Sequence, residues 1–95
     1  MKTTITELVP TSSRKSFYGK AKLVDTGKTR FLRSYDTIAA SVDQKGNVHR
    51  HTDWRSATTN AHVKSFMETC MDKPIATKAF WELPVEPYDP IEVTL

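Results

Sequence analysis

The sequence has one cysteine, three glycines and no long hydrophobic run among its 95 residues. A single cysteine, Cys70, excludes an intrachain disulfide and favours a reducing compartment. The first residues lack the apolar stretch of a signal peptide, and no segment approaches the roughly 20 apolar residues of a membrane-spanning helix. We therefore expect a cytoplasmic protein with no membrane partner.

The sequence also lacks patterns that carry catalytic chemistry. Cys70 and His62 would lie about 12 Å apart on one helix, and the apolar stripe around Cys70 predicts a buried, inert thiol. His49 and His51 share a strand face and, with His62, offer three imidazoles for zinc, but no Cys-x-x-Cys or helical histidine pair supports such a site. We expect a protein that is not an enzyme and uses no metal and no cofactor.

Charge is distributed unevenly along the chain. Residues 1–55 carry eleven Lys and Arg against five Asp and Glu, whereas residues 56–95 carry three against six. A basic surface facing an anionic partner produces such an asymmetry, and so do ordinary solvated strands. The asymmetry keeps nucleic acid among the candidate partners without selecting it.

The composition divides the chain into three parts. Residues 1–14 are rich in Thr and Ser and lack a period, which predicts an extended arm. Residues 15–83 predict a single α+β domain. Residues 84–95 have a proline at every third position among acidic residues, which predicts an acidic Pro-rich tail. Both ends are expected to be flexible.

The domain begins with segments of strand character, which predict an antiparallel meander of three or four strands. These segments are residues 16–24, 29–35, 37–42 and 47–51. Turn signals lie at residues 25–28 and 43–46. Whether Tyr35-Asp36 forms a turn or a bulge inside one long strand is left open by the pattern.

The segment after Ser56 predicts the main helix. Its apolar residues follow the spacing of one buried helical face, at Val63, Phe66, Met67, Cys70 and Met71. Ser56 is the expected N-cap, and Asp72-Lys73-Pro74 is expected to end the helix. A short helical turn over residues 78–83, capped by Thr77, follows. The predicted fold is thus a two-layer α+β domain with the meander packed on one amphipathic helix.

Four short series carry a resemblance to a known family: Ser16–Ala21, Ser34–Ala39, Trp54–Thr59 and His62–Phe66. Together they resemble a small domain of unknown function carried by phages and prophages of gut bacteria, over about residues 16–71. The resemblance implies a strand, a turn and a capped helix, and it brings no activity. It also implies a mobile-element origin, which favours nucleic-acid handling or interference with a host protein in the host cytoplasm.

A two-residue turn at Thr26-Gly27 would place basic and aromatic side chains on one sheet face. The resulting cross-strand pairs would be Lys22 with Phe31, Lys20 with Arg33, and Tyr18 with Tyr35. Bases stack on aromatic rings while Lys and Arg follow phosphates, so this face suits single-stranded nucleic acid. A shift of one residue would instead bury Phe31 and Tyr35. The opposite face, with Phe17, Ala21, Leu23 and Leu32, would pack beneath the helix.

The start of the main helix offers a second place for phosphate. Free amides after Ser56 and the positive end of the helix dipole attract anions, and Arg55 would close the contact. Ordinary capping explains Ser56 equally well and makes Trp54 a core or staple residue. The predicted nucleic-acid-binding residues are Tyr18, Lys20, Lys22, Arg30, Phe31, Arg33, Tyr35, Arg55 and Ser56.

The alternative is a protein-interaction module, such as a phage counter-defence inhibitor of a host protein. In that case residues 83–95 would lie on a partner as an extended strand or polyproline segment, with Trp81 and Tyr88 as aromatic anchors. The same tail would otherwise fold back over the basic sheet face as an intramolecular screen. The oligomeric state is not determined by these patterns.

Overall fold

The computed structural model describes residues 3–11 and 16–90. Five strands form one antiparallel sheet in chain order: β1 (Thr4–Glu7), β2 (Ala21–Asp25), β3 (Arg30–Ser34), β4 (Thr37–Val42) and β5 (Val48–Arg50). Helix α1 (Ala57–Cys70) packs against β3 and β4, and the short helix α2 (Thr77–Glu82) contacts β5 and α1. The predicted α+β meander on one main helix is confirmed.

The sheet has five strands where three or four were predicted, because β1 lies inside the segment predicted as an extended arm. Ile5 pairs with Val24 of β2, and the N–H of the buried Leu8 donates to the C=O of Ala21 at 3.0 Å. β-Branched residues favour strand structure once a sheet edge is available to pair with. Residues 1, 2 and 12–14 of the predicted arm and residues 91–95 of the predicted tail lie outside the described residues.

The β2–β3 hairpin turns one residue later than predicted, at Gly27-Lys28. The N–H of Thr26 donates to the C=O of Thr29 at 3.0 Å, and the carboxylate of Asp25 accepts the N–H of Gly27 at 2.8 Å. Gly27 has a φ of +88°, the left-handed region that glycine adopts at the first position of a two-residue hairpin turn. Glycine chemistry therefore sets the position of the turn.

The later turn changes the pairing of β2 with β3 by two residues. Lys22 faces Arg33 and Val24 faces Phe31, so the predicted pairs of Lys22 with Phe31 and Lys20 with Arg33 do not form. Because side chains alternate between the two faces with a period of two, this shift keeps Lys22, Phe31 and Arg33 on the same face. These three residues share one face as predicted, but with different cross-strand partners.

The main core lies between the sheet and α1. It includes, from the sheet side, Phe17, Ala21, Leu32, Ala40 and Val42, and, from the helices, Val63, Phe66, Met67, Cys70, Phe80 and Trp81. The predicted packing of Phe17, Ala21 and Leu32 beneath the helix is confirmed. A smaller cluster of Val24, Phe31 and Ile38 lies apart from this core. Buried apolar side chains therefore occur in two places in this small domain.

The ends of both helices follow from local chemistry. The hydroxyl of Ser56 accepts the N–H of Thr59 at 3.0 Å, which confirms the predicted N-cap of α1. The helix ends at Cys70, two residues before the predicted stop. Helix α2 begins at Thr77 after Ala76, so Thr77 is its first residue and not its cap. Among the described residues, no helix combines the length and apolarity needed to cross a membrane.

Candidate nucleic-acid interface

Three exposed aromatic side chains lie at one end of the molecule, where β2 starts, β3 turns into β4 and the segment before α1 runs. Tyr18 is 79% exposed, Tyr35 48% and Trp54 69%. We call the surface formed by Tyr18, Lys20, Tyr35 and Trp54 the aromatic end. Large exposed rings concentrated in one place indicate an interaction site more strongly than scattered ones do.

Two tight turns hold the first two rings of the aromatic end in place. The N–H of Tyr35 donates to the C=O of Lys20 at 2.7 Å, and the N–H of Lys20 donates to the C=O of Phe17 at 3.0 Å. Tyr18 and Tyr35 have φ values of +53° and +55°, which are uncommon for residues with a side chain. The ammonium group of Lys20 lies 5.6 Å from the centre of the Tyr35 ring, within cation–π range.

The structure has both a turn and a β-bulge near Tyr35. Tyr35-Asp36 is the turn that joins β3 to β4, and a bulge lies one step earlier, where the pairing shifts between Leu32 and Arg33. Leu32 faces Ala40 while Arg33 faces Ile38, so β4 has one extra residue at this point. Bulges of this kind re-aim neighbouring side chains. Here the irregularity lies directly before the turn that carries Tyr35.

A cleft of about 520 Å³ opens beside Tyr35 and Trp54. Apart from these two rings its lining consists of hydroxyl side chains: Ser34, Thr37, Thr52, Ser56, Thr58 and Thr59. Beneath it, the hydroxyl of Ser34 lies 2.8 Å from Nδ1 of the buried His62. A concave site with aromatic walls and a few polar groups is typical of ligand-binding pockets.

The residues that precede α1 differ from their expected environments. Trp54 is exposed and is not the core or staple residue that was expected, because the chain before Ser56 runs extended over the surface. The backbone N–H of Trp54 donates to the Thr52 hydroxyl at 3.1 Å. The guanidinium of Arg55 lies 5.6 Å from the ring centre of Trp81. The start of α1 thus has an exposed ring, a cation and a capping hydroxyl side by side.

Trp81, predicted as a partner anchor, lies in the core of its own domain. It is 8% exposed, and its indole N–H donates to the side-chain oxygen of Asn60 at 2.8 Å. The guanidinium groups of Arg50 and Arg55 lie 5.8 and 5.6 Å from its ring centre. The ring holds α2 against α1, so it is not presented to a partner in this conformation.

The cations of the sheet face are paired with carboxylates. Lys22 and Arg33 lie opposite each other, an arrangement of like charges that destabilises a sheet unless it is relieved. Glu7 approaches Lys22 at 3.6 Å, and Asp36 accepts a hydrogen bond from Arg33 at 3.1 Å. These surface pairs are partly exposed, so a stronger anion can replace the carboxylates at small cost.

Two other predicted binding residues are separated from the aromatic end. Phe31 is 2% exposed, with the rings of His51 and Tyr88 centred 6.2 and 6.5 Å from its own, so it is not accessible to a base in this conformation. Arg30 lies on the opposite face, where its guanidinium donates to the C=O of Cys70 at 2.7 Å. A cation at this position satisfies the last carbonyls of α1 and favours its dipole.

The C-terminal segment Val85–Tyr88 returns along the edge strand β5. Val85 forms a parallel bridge with Arg50, and the N–H of Glu86 donates to the C=O of Arg50 at 2.7 Å. Nδ1 of His51 donates to the C=O of Glu86 at 2.7 Å. Tyr88 is 37% exposed and packs its ring 5.3 Å from that of His51. The described part of the acidic tail is therefore docked on its own domain.

His49 ties this segment to the β4–β5 turn. Its Nε2 lies 2.8 Å from the carboxylate of Asp43, and its Nδ1 lies 2.9 Å from that of Glu86. Both ring nitrogens can donate only when the imidazole is protonated. The hydrogen bond with Asp43 is the main reason that the pKa of His49 is raised, and the hydrogen bond with His49 is the main reason that the pKa of Asp43 is lowered.

Each histidine forms hydrogen bonds within the domain, and the cysteine is buried. His49 meets two carboxylates, His51 lies 2.8 Å from the hydroxyl of Ser41, and His62 lies beside Ser34. In residues 3–11 and 16–90, no group of three His, Cys, Asp or Glu side chains is arranged to hold a metal ion. Burial raises the pKa of the Cys70 thiol, which keeps it protonated at neutral pH.

The structure brings together some predicted binding residues and adds others. Tyr18, Lys20 and Tyr35 share the aromatic end, and Ser56 lines the adjoining cleft. The exposure of Trp54 and the hydroxyl lining of the cleft were missed by sequence reasoning. The only available signal was the density of Thr and Ser around the cap, which capping alone explains.

Fold and cleft together define a small α+β domain with a concave surface lined by two aromatic rings and several hydroxyl groups. The chain belongs to the family of unknown function DUF8033, whose model matches residues 6–83. The match agrees with the predicted resemblance to a domain of unknown function and covers more of the chain. No curated protein and no solved structure matches this chain.

Proposed function

We propose that this protein is a non-enzymatic module that binds single-stranded nucleic acid at the aromatic end. The observation that carries the proposal is a cleft lined by the exposed rings of Tyr35 and Trp54, with the Lys20 ammonium 5.6 Å from the ring of Tyr35. Base stacking on such rings contributes about 1–3 kcal/mol per base and does not depend on sequence. Duplex bases are stacked on one another and cannot reach them.

The cleft supports a specific arrangement of the strand. One unstacked base would enter between Tyr35 and Trp54, and the hydroxyl groups of Thr37 and Thr58 would meet its polar edge. A hydroxyl both donates and accepts hydrogen bonds, so this lining tolerates more than one base. The adjoining phosphates would lie near Lys20 and the start of α1, where the helix dipole favours anions.

The resemblance to phage and prophage domains supports a wider setting for this activity. We place the protein among products of mobile elements of gut bacteria, acting in the host cytoplasm. Single-stranded DNA and RNA arise there during replication and transcription, so a small binding module has a target of the expected chemistry. Binding through phosphates and stacked rings needs no cofactor.

Fluorescence anisotropy of labelled single-stranded and duplex DNA and RNA, at several salt concentrations, tests the proposal. We expect single strands to bind more tightly than duplexes and the affinity to fall as salt rises. Lys20→Gln and Arg55→Gln should each lower the slope of log K against log salt by about 0.7, the value for one phosphate contact on a single strand. Lys78→Gln, on the exposed surface of α2, is the matched control.

Two results would contradict the proposal. One is the absence of binding to any strand at low salt. The other is a salt slope that Lys20→Gln and Arg55→Gln change no more than Lys78→Gln does, because the positive charge would then act without a defined site.

A second candidate is a protein-interaction module, such as a phage counter-defence inhibitor of a host protein. The 69% exposure of Trp54 favours it, since tryptophan is enriched among the residues that dominate protein interfaces. Retention of one host protein by the wild type but not by Trp54→Ala, together with no binding of oligonucleotides, would select this function.

A further inference from the structure

The sheet face beneath the C-terminal segment has the same chemistry as the aromatic end. Its cross-strand rows include Lys22 beside Arg33, and Phe31 followed by Ser41 and His49. Phe31 is buried there by the rings of His51 and Tyr88. An aromatic ring among cations is the combination that single strands bind.

We propose that Val85–Tyr88 is a displaceable cover, and that its release exposes a second single-strand-binding surface on the sheet face. This surface comprises Lys22, Phe31, Arg33, His49 and His51. The inference rests on the proposed function, because it extends the same binding chemistry to a second place on the molecule and makes that place conditional on the position of the cover.

The cover is attached at few points. The backbone N–H of Glu86 donates to the C=O of Arg50, and the C=O of Glu86 accepts from the side-chain Nδ1 of His51, both at 2.7 Å. Pro84 and Pro87 flank Val85 and Glu86, and proline has no N–H with which to continue a ladder along β5. The pairing with β5 is consequently a single bridge, between Val85 and Arg50. A segment that joins the edge of the sheet by one bridge and a few side-chain contacts can leave without unfolding the sheet.

The groups of the cover stand where groups of a nucleotide would stand. The carboxylate of Glu86 lies 2.9 Å from Nδ1 of His49, the position that a phosphate oxygen would take. The ring of Tyr88 lies 5.3 Å from the ring of His51 and 6.5 Å from that of Phe31, the position that a stacked base would take. An anionic aromatic segment thus competes directly with an anionic aromatic ligand.

Release would leave the surface ready to bind. Asp43 would still hold Nε2 of His49 at 2.8 Å and keep the imidazole oriented, while Nδ1 would become available to a phosphate. The side chain of Arg33 is already 43% exposed. Phe31 would gain solvent exposure, which is unfavourable in water and is relieved by a stacked base. Ligand binding and release of the cover are therefore coupled.

Full-length Glu86→Gln tests the cover against Glu82→Gln, which removes the same charge from the exposed surface of α2. The probe is a labelled oligothymidine at fixed low salt. Because exposed ion pairs contribute little, we expect Glu86→Gln to tighten binding by up to about fivefold relative to Glu82→Gln. Hydrogen exchange at the Glu86 amide should accelerate in the same variant, and Glu86→Gln with Tyr88→Ala should increase both effects.

Adding Lys22→Gln and Arg33→Gln to the Glu86→Gln protein locates the second surface. We expect this triple variant to lose the affinity gained by Glu86→Gln and to bind the oligothymidine as tightly as the wild type does. An equal affinity of Glu86→Gln and Glu82→Gln, or a gain that survives the loss of both cations, would overturn the inference. In either case binding by the wild type would still support the aromatic end.

The remaining results separate the two proposals. If only the proteins with Glu86→Gln bind, the cover is supported and the aromatic end is not a site. If neither the wild type nor the variants bind oligothymidine, both proposals fail together.

Discussion

The aromatic end and the sheet face have the same two kinds of side chain and differ in what lies over them. At the aromatic end, Tyr35 and Trp54 are 48% and 69% exposed, whereas Phe31 on the sheet face is 2% exposed. The lysines of the two surfaces also differ in what lies beside them. Lys20 lies against an aromatic ring, whereas Lys22 lies 3.6 Å from a carboxylate of Glu7. Composition alone does not distinguish the two surfaces.

The course of the backbone decides which aromatic side chains of the two surfaces are accessible to solvent. Tight turns with positive φ at Tyr18 and Tyr35 hold their rings at the rim of the sheet, where no later segment of the described chain crosses them. The sheet face lies on the path that the chain takes after α2, and Tyr88 closes over Phe31.

The largest expected effect is on stability. Phe31→Ala should lower the free energy of unfolding by about 3–5 kcal/mol, because it leaves a cavity beneath the returning segment. Trp54→Ala should change it by no more than about 0.5 kcal/mol, since the ring is exposed. Chemical denaturation of both variants measures the contrast. Similar losses of stability would show that the two rings have similar environments.

The next effect is on binding. Tyr35→Ala and Trp54→Ala should each weaken the binding of a single strand by about 1–3 kcal/mol, the contribution of one stacked base. Tyr35→Phe retains the ring and serves as the control. Affinities from anisotropy titrations test this, and a loss in Tyr35→Phe equal to that in Tyr35→Ala would assign the effect to the hydroxyl instead of to stacking.

A smaller effect separates capping from ligand binding at the cleft. Ser56→Ala should lower the free energy of unfolding by about 1 kcal/mol, because the N–H of Thr59 loses its acceptor. Thr58→Ala changes a neighbouring hydroxyl of the cleft that has no capping role, and it should leave stability nearly unchanged. Thermal unfolding distinguishes them. Equal shifts would remove the special role of Ser56.

The smallest effect is the pH dependence of the returning segment. The pKa of His49 is raised from its ordinary value of 6.5, chiefly by Asp43 and further by Glu86. Its contribution to stability is therefore fully present below the ordinary pKa and is lost as pH rises through the raised value. The difference in unfolding free energy between wild type and His49→Gln should shrink over that range.

Asp43→Asn is the control for this pH dependence, because Asp43 supplies the largest part of the shift. It should remove most of the pH-dependent difference. The lowered pKa of Asp43 acts in the opposite range: its contribution is present above the ordinary value of 3.8 and is lost as pH falls through the lowered one. A stability difference for His49→Gln that is constant with pH would contradict the contacts of His49 with both Asp43 and Glu86.

Much of the fold follows from local sequence signals. The buried stripe and the Ser56 cap predicted α1, and the turn residues near Gly27 and Gly46 predicted two of the hairpins. The hairpin register was displaced by two residues, because the choice between Thr26-Gly27 and Gly27-Lys28 depends on which position has a positive φ. Strand β1 was missed, since a short Thr-rich strand is recognisable only beside the edge that it pairs with.

Less of the candidate site was predictable. Tyr18, Lys20 and Tyr35 were expected to bind together and do lie together, although they do so at the rim and not across the sheet face. The burial of Phe31 and the exposure of Trp54 run against the expectations for these residues. The burial of Phe31 depends on Tyr88, which is distant in sequence, whereas the exposure of Trp54 depends on the extended course of its own segment before Ser56.

The sequence by itself determined the α+β class, the capped amphipathic helix and the faces of the hairpin, because periodicity and turn chemistry act between residues that are close along the chain. Only the tertiary structure decided which of the aromatic residues meet solvent. His49 and Glu86 are 37 positions apart, and no local preference of either one anticipates their contact. Contacts of that kind depend on where the whole chain returns, so they emerge only when the sheet, the helices and the C-terminal segment are packed together.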